Sequence, residues 1–408
     1  MPKIAIVNLG AHGHVNPTLA VTSELVRLGA EVVYYVPSEF EDAVQATGAR
    51  FAGIDSLFGK FAPPKGGNDA ELMASFPTRL LSEARHTLPQ LLPRLREQRP
   101  DVIIYDKMAM AGRFAAEILG TRKMLFCPSY AANQHFSLGR LFANPDLTSS
   151  FDAFAAEMAA LANEYGVQAI TVPGLFTTAE ELNIVFLPRA FQYEGDSFDS
   201  RFAFVGPSIA ARPTSGRWQP PGSDNRRLLL ISLGTVFNDW PEFFSMALAA
   251  FADTDWHVVM AIGKHVDLAA LGTIPANFEV SAHVPQLDVL QHADAFISHG
   301  GMNSTQEALY YGVPLVVIPQ MLEQAATARR VTELGLGRAL TRDTVSTNAL
   351  RETVEAVSSD AATAERLAIM REAVRAAGGQ KRAAAAILAQ LDSPMSEVEN
   401  QLQPTPSL

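Results

Sequence analysis

The sequence predicts an α/β protein of two domains, each a parallel sheet wrapped by helices. Three observations predict it. Short apolar runs alternate with longer amphipathic stretches, the alternation starts again in the second half, and a Pro/Gly/Ser-rich stretch separates the two rounds. The 408 residues also exceed what one ordinary core holds, since domains usually run to about 100–200 residues.

In chain order, IAIVNL (4–9) reads as a buried strand. PTLAVTSELVRLG follows, with Leu19, Thr22, Leu25, Val26 and Leu28 at near-helical spacing and Gly29 as a stop. That helix is expected to start near Pro17 with Asn16 as its N-cap. EVVYYV (31–36) is a second strand and EFEDAVQATG a second helix; DVIIYD (101–106) and KMLFC (123–127) are strands around a helical segment. The second round opens with RLLLIS (227–232), continues through a Trp/Phe-rich helix, and adds the strands HVVMAI (257–262), DAFIS (294–298) and PLVVIP (314–319). The expected boundaries are 1–208 for the first domain, 209–225 for an exposed linker, 226–380 for the second domain, and 381–408 for a C-terminal helix and disordered tail. PPKGGND (63–69) reads as a mobile loop.

Composition narrows the function. Hydrophobic residues make up 48% and charged residues 18%, a packed globular balance. The formal net charge is −11, so nucleic acid and anionic membranes are poor partners. Cys127 is the single cysteine; no intrachain disulfide can form, which fits a reducing compartment. The N-terminus lacks a signal core, and no run approaches the ~20 apolar residues of a membrane span. A soluble, cytoplasmic protein is expected. An anionic ligand would need local backbone donors to overcome the global field.

Two stretches carry chemistry. The first is GAHGHVNP, Gly10 to Pro17, where the first strand ends. Ligands of open α/β sheets bind beyond the carboxyl ends of strands. His12 and His14 can simply satisfy backbone groups in a turn, or one can serve as a general base; as an H-x-H metal pair they lack a third ligand nearby. The second is HVPQLDVLQHADAFISHGGMNSTQEALYYGVPLVVIPQMLEQ, His283 to Gln324. A strand ends at His299, Gly300 and Gly301, and a helix starts near Asn303 or Ser304. The free N–H groups and the dipole of such a helix start, roughly half a positive charge, attract an anion. The glycines let backbone approach a diphosphate. Ser304 can donate a hydroxyl hydrogen bond, His299 can donate to a phosphate oxygen, and Glu307 can accept from ribose hydroxyls. Each also has a plain structural use, as N-cap, turn or solvated helix residue.

Together, the GAHGHVNP turn, PDVIIYD, SLGT, HVPQ and HGGMNSTQE, in this order, resemble the signature of the inverting UDP-glycosyltransferase superfamily, and the whole chain is similar to bacterial macrolide glycosyltransferases. The resemblance implies a GT-B fold, two Rossmann-like doubly wound domains facing across a cleft, with an acceptor-binding first domain and a nucleotide-sugar-binding second domain. It implies that Val284 and Gln286 hold the uracil and ribose region, with His283 standing where a tryptophan often stacks on the base. His299 meets the diphosphate and Asn303 and Ser304 complete its cradle with Gly301; Thr235 in SLGT lies near the phosphates. Glu307 binds the ribose. Met302, near the sugar, replaces a tryptophan. Glu323 and Gln324 bond the hydroxyls of the transferred sugar, Glu323 replacing a commoner aspartate.

The resemblance picks His14 as the base. Histidine, with an ordinary pKa of about 6.5, can take the acceptor's proton near neutrality, help worth ~10²–10⁴ in rate. A carboxylate behind it would fix the tautomer and stabilise the imidazolium. Asp106, ending a strand of the same domain, is the candidate; capping the helix that follows is its structural alternative. His12 is left as structural or as support behind the reacting groups. The one D-x-D, at 253–255, reads as a turn, so no metal is expected and the helix start carries the leaving group's charge. Met108, Met110, Tyr130 and Phe136 are candidates for an apolar acceptor pocket, or ordinary core.

The expected activity is transfer of a hexose, glucose first, from a UDP-sugar to a hydroxyl of an apolar natural product such as a macrolide, polyketide or phenolic, with inversion and no cofactor beyond the donor. A dTDP-deoxysugar transferase and a GT-B-fold sugar-nucleotide epimerase are the alternatives. A non-enzymatic nucleotide-sugar sensor would tolerate loss of His14. A nicotinamide dehydrogenase fits poorly, since GAHGHV lacks the third glycine of its motif. Oligomeric state is not readable.

Overall fold

The computed structural model describes residues 1–58, 69–141, 148–209, 218–221, 226–234 and 238–393. The loop expected at 63–69 up to residue 68, most of the linker, Thr235 and the tail from 394 lie outside the described residues. The chain divides into two compact units, Met1–Ser208 with Ala377–Leu408, and Ile209–Ala376.

The first unit is built on a parallel sheet of seven strands: β1 (Lys3–Val7), β2 (Glu31–Val36), β3 (Arg50–Gly53), β4 (Val102–Asp106), β5 (Arg122–Cys127), β6 (Asn183–Val185) and β7 (Phe202–Phe204). Their order is β3-β2-β1-β4-β5-β6-β7, the doubly wound arrangement. The central strands are near-continuous apolar runs because helices cover both faces. Helices α1 (His12–Arg27), α2 (Glu41–Gln45), α3 (Asp69–Gln98), α4 (Met110–Leu119), α5 (Leu138–Leu141), α6 (Thr148–Tyr165) and α7 (Val172–Thr177) connect the strands.

Two of these helices depart from propensity. α1 starts at His12, not near Pro17: Ala11, in extended backbone, is its N-cap, and Pro17 lies inside it. Asn16 caps nothing, and both histidines sit in helix. α3 runs through Pro77, Pro89 and Pro93; burial of Leu81, Leu88, Leu91, Leu92 and Leu95 on one side outweighs the proline penalty.

The second unit has a parallel sheet of β8 (Arg227–Ser232), β9 (Trp256–Ala261), β10 (Phe278–Ser281), β11 (Ala295–Ser298), β12 (Leu315–Val317) and β13 (Gly337–Ala339), ordered β10-β9-β8-β11-β12-β13. Helices α8 (Pro241–Phe251), α9 (Gln286–Leu290), α10 (Met302–Tyr311), α11 (Leu322–Glu333), α12 (Thr347–Ser359) and α13 (Ala361–Ala376) join them. α8 and α12 close one core over this sheet, with Phe243, Phe244, Phe251 and Trp256 buried beside Leu350 and Val354.

The final helix, α14 (Gly379–Asp392), returns to the first unit. Its Ala383, Ala384 and Ile387 share a core with Val15, Val21 and Leu25 of α1. Arg122 of β5 donates to the carbonyls of Gln390 and Ser393, at 2.6 and 2.8 Å, and so caps the helix end.

Candidate active site

β1 and β4 are paired neighbours, Val7 opposite Tyr105, so the chain leaves both at one sheet edge. From β1 it turns into α1, whose first turn carries His14; β4 ends on Asp106. The two meet there: His14 Nδ1 lies 2.9 Å from Asp106 Oδ2. The carboxylate is fully buried and the imidazole is 24% exposed. Asp106 Oδ1 accepts from the Met108 N–H at 2.8 Å. One oxygen thus shapes the turn before α4, whose N-cap is Ala109 and not the expected Asp106, while the other faces the ring. An ionised carboxylate only accepts, so it takes the Nδ1 proton and leaves Nε2 as the basic nitrogen. His12, in contrast, is exposed and sets its ring edge-on to Phe40 at 4.9 Å.

In the second unit, β8 and β11 pair in register, Ser232 opposite Ser298. Each strand ends in the same sequence, Ile-Ser-x-Gly, at 231–234 and 297–300. Each serine hydroxyl accepts from its glycine's N–H, at 3.4 Å for Gly234 and 3.2 Å for Gly300. Both glycines have positive φ, +82° and +83°, a conformation that a side chain would strain. The turns flank the His299 ring. A Cβ on Gly234 would lie 2.7 Å from the imidazole, and one on Gly301 would lie 2.4 Å from Nε2. Burial pushes the His299 pKa down to about 4, against a smaller opposing pull from the Ser232 backbone. The ring is therefore neutral at pH 7. Its Nδ1 is shut off from solvent without a hydrogen-bond partner.

α10 starts at Met302, with Gly301 as an N-cap that supplies no side chain. Asn303 and Ser304 are half-buried in its first turn. Gln286, at the start of α9, donates to Ser304 Oγ at 3.2 Å and to Glu307 Oε2 at 2.6 Å. These three expected ligand residues form one polar group. Val284 is half-buried and His283 exposed on the preceding loop. Gln324 is buried, and its Oε1 accepts from the Gln320 N–H at 2.7 Å, committing the amide oxygen to its own loop. Glu323 is half-buried beside it. Met302 departs from expectation: it is buried, and its sulfur accepts from Gln306.

The expected acceptor wall is largely core. Tyr130 and Phe136, 2% and 7% exposed, stack on Phe191 and Tyr193 respectively, at centroid distances of 6.1 and 5.2 Å, and meet each other edge-on at 5.9 Å. Aromatic packing of this kind stabilises the fold and offers a ligand little surface. Met110 is buried at the start of α4, and only Met108 remains half-exposed. Asp253 and Asp255 lie in the turn between α8 and β9, where the Thr254 hydroxyl donates to Phe251 O at 2.8 Å. Among the described residues no group of three or more His, Cys, Asp or Glu could hold a metal, and no helix is long and apolar enough to cross a membrane.

Sequence reading missed Gly234, which the repeated Ile-Ser-x-Gly could have marked, and Asn238, whose Nδ2 donates to the Gly234 carbonyl at 2.7 Å.

The chain is thus two parallel-sheet Rossmann-like domains, one with a His–Asp pair at a strand edge and one with a glycine turn opening a helix. Comparison with known proteins places it further. Residues 245–387 match the family model described as "Erythromycin biosynthesis protein CIII-like, C-terminal domain". The chain is 44% identical over 384 residues to the NDP-glycosyltransferase YjiC of Bacillus subtilis (strain 168), covering 94% of this chain and 96% of that one. It is 33% identical to the oleandomycin glycosyltransferase of Streptomyces antibioticus, over 95% and 90% of the two chains. The crystal structure of CalG4, the calicheamicin glycosyltransferase, superposes with a TM-score of 0.87 at 37% identity, covering 97% of this chain and all of that one. The chain belongs to the UDP-glycosyltransferase superfamily, close to the macrolide glycosyltransferases.

Proposed function

We propose that the protein transfers a hexose, glucose first, from a UDP-sugar to a hydroxyl of an apolar natural product such as a macrolide, polyketide or phenolic, with inversion at the anomeric carbon. The observation that carries the reading is the His14–Asp106 pair, 2.9 Å apart with the carboxylate buried. Nε2 takes the acceptor's proton as its oxygen attacks, and Asp106 stabilises the imidazolium that forms. The anomeric C–O bond to the diphosphate breaks in the same in-line step, so no covalent intermediate is needed.

The second unit holds the donor. The N–H groups at the start of α10, with His299, Asn303 and Ser304, receive the diphosphate and the charge that builds on it. As a neutral ring, His299 donates one hydrogen bond without adding a cation. Glu307, already held by Gln286, accepts from the ribose hydroxyls, and His283 and Val284 border the base. Glu323 and Gln324 bind sugar hydroxyls, which favours a fully hydroxylated sugar over a deoxysugar. We assign the transfer no metal: the local donors serve the leaving group.

The test is a mass-spectrometric screen of UDP-glucose, UDP-galactose and dTDP-glucose against macrolide and flavonoid acceptors, with and without EDTA. One added hexose mass with UDP-glucose, a β-linked product from the α-linked donor, and insensitivity to EDTA are expected. Strict metal dependence would reject the metal-free step; preference for dTDP-glucose would reject the donor; full turnover by His14→Ala on an alcohol acceptor would reject the base.

A further inference from the structure

The turn that carries His14 leads into Pro17, which lies inside α1 and supplies no N–H to the helix. Facing it is a chain of buried hydrogen bonds with no part in the chemistry so far. The Thr18 hydroxyl donates to the Val15 carbonyl at 2.8 Å. The Tyr34 hydroxyl, 2.6 Å from Thr18 Oγ1, must therefore donate to it. Asn8 Nδ2 donates to the Tyr34 oxygen at 2.7 Å and to the His14 carbonyl at 3.2 Å. Asn8 Oδ1 accepts from the Leu9 N–H at 2.7 Å. All three side chains are buried, and Asn8 Nδ2 also lies 3.4 Å from Thr18 Oγ1, so they form one closed network. Burial holds the Tyr34 phenol well above its ordinary pKa, and the charge of Asp106 adds to the push. It stays a neutral donor.

A core position asks only for a ring; the hydroxyl here is spent on the first turns of α1. We propose that Tyr34 is a positioning residue for His14. Through Thr18 and Asn8 it fixes the carbonyls of Val15 and His14, and so the turn that delivers the imidazole to Asp106. The inference rests on His14 being the base. Tyr34 touches neither substrate, so its removal should act on kcat and leave both KM values alone. A misplacement of about 1 Å at a reacting group can cost about 100-fold.

The test is Tyr34→Phe, with Thr18→Val as a second, smaller deletion from the same chain that decides the matter if the first variant does not fold. Each is expected to lower kcat about 10- to 100-fold on an alcohol acceptor with both KM values within twofold of wild type. In a His14→Ala background, where residual turnover is followed by mass spectrometry, Tyr34→Phe or Thr18→Val is expected to cost nothing more, since no ring remains to be aimed. Kcat within twofold of wild type in the folded variants overturns the proposal, as does a loss of the same size with and without His14; either result leaves His14 as the base. Unimpaired turnover by His14→Ala alone removes the base and this inference with it.

Discussion

Asp106→Asn offers the sharpest test of the reacting pair. In the native site Asp106 Oδ1 takes the Met108 N–H at 2.8 Å and Oδ2 takes His14 Nδ1–H at 2.9 Å. An asparagine has one accepting end. If its oxygen keeps Met108, its NH₂ faces Nδ1 and forces the proton to Nε2, the wrong tautomer for a base. If it flips, two donors confront each other at Met108. Either way the imidazolium of the transition state loses its counter-charge. Unit charges about 4 Å apart at an effective dielectric of about 20 attract by about 4 kcal/mol, which converts to about a thousandfold in kcat at about 1.36 kcal/mol per decade. The assay compares an alcohol acceptor with a nitrophenol already ionised at the assay pH. The loss should approach a thousandfold on the alcohol and shrink below tenfold on the phenolate, which needs no base. An equal loss on both acceptors would mean that Asp106 only shapes the turn, and the proton-transfer reasoning would be refuted.

Three further outcomes follow from named contacts. Gly301→Ala keeps an allowed backbone but drives its Cβ into the His299 ring, 2.4 Å from Nε2; crowding of about 1–3 kcal/mol should weaken uridine diphosphate binding about tenfold or more by calorimetry. The His299 pKa, about 4 when folded against an ordinary value of about 6.5, means that the unfolded chain takes this proton first. Stability from this group is intact above about pH 6.5 and lost as pH falls through about 4, so His299→Gln should show a smaller drop in Tm than wild type between pH 7 and 4.5. Arg122→Ala removes the guanidinium from the Gln390 and Ser393 carbonyls; a cost of about 1–3 kcal/mol and faster hydrogen exchange confined to α14 are expected.

Legibility in the sequence followed strand length and local chemistry. β1, β2, β4, β5, β8, β9, β11 and β12 stand out because central parallel strands are unbroken apolar runs. β3, β6, β7, β10 and β13 escape notice, being three or four residues long and away from each sheet's centre. A proline ordinarily marks a helix's first turn, so the sequence places the start of α1 near Pro17, whereas the helix begins at His12. His14 and Asp106 could be put at one sheet edge, and Ser304 and Glu307 at a helix start, because strand ends and helix starts are visible as patterns; Gln286 joins them only through the family resemblance. The bonds among them, the burial of Tyr130 and Phe136, and the work of Asn8, Thr18 and Tyr34 depend on which residues distant in sequence pack together. No local period reports that.

The return of α14 to the first unit has a consequence for synthesis on the ribosome. Residues 209–376 form an inserted body, complete before Ala383, Ala384 and Ile387 have been translated. The half bearing His14 must wait for them, its α1 lacking a neighbour throughout. A nascent chain stopped before Gly379 would therefore damage the unit made first and spare the one made last. Chaperone dependence, protease nicking and premature termination should all register at the His14–Asp106 pair rather than at the glycine turns of the second unit.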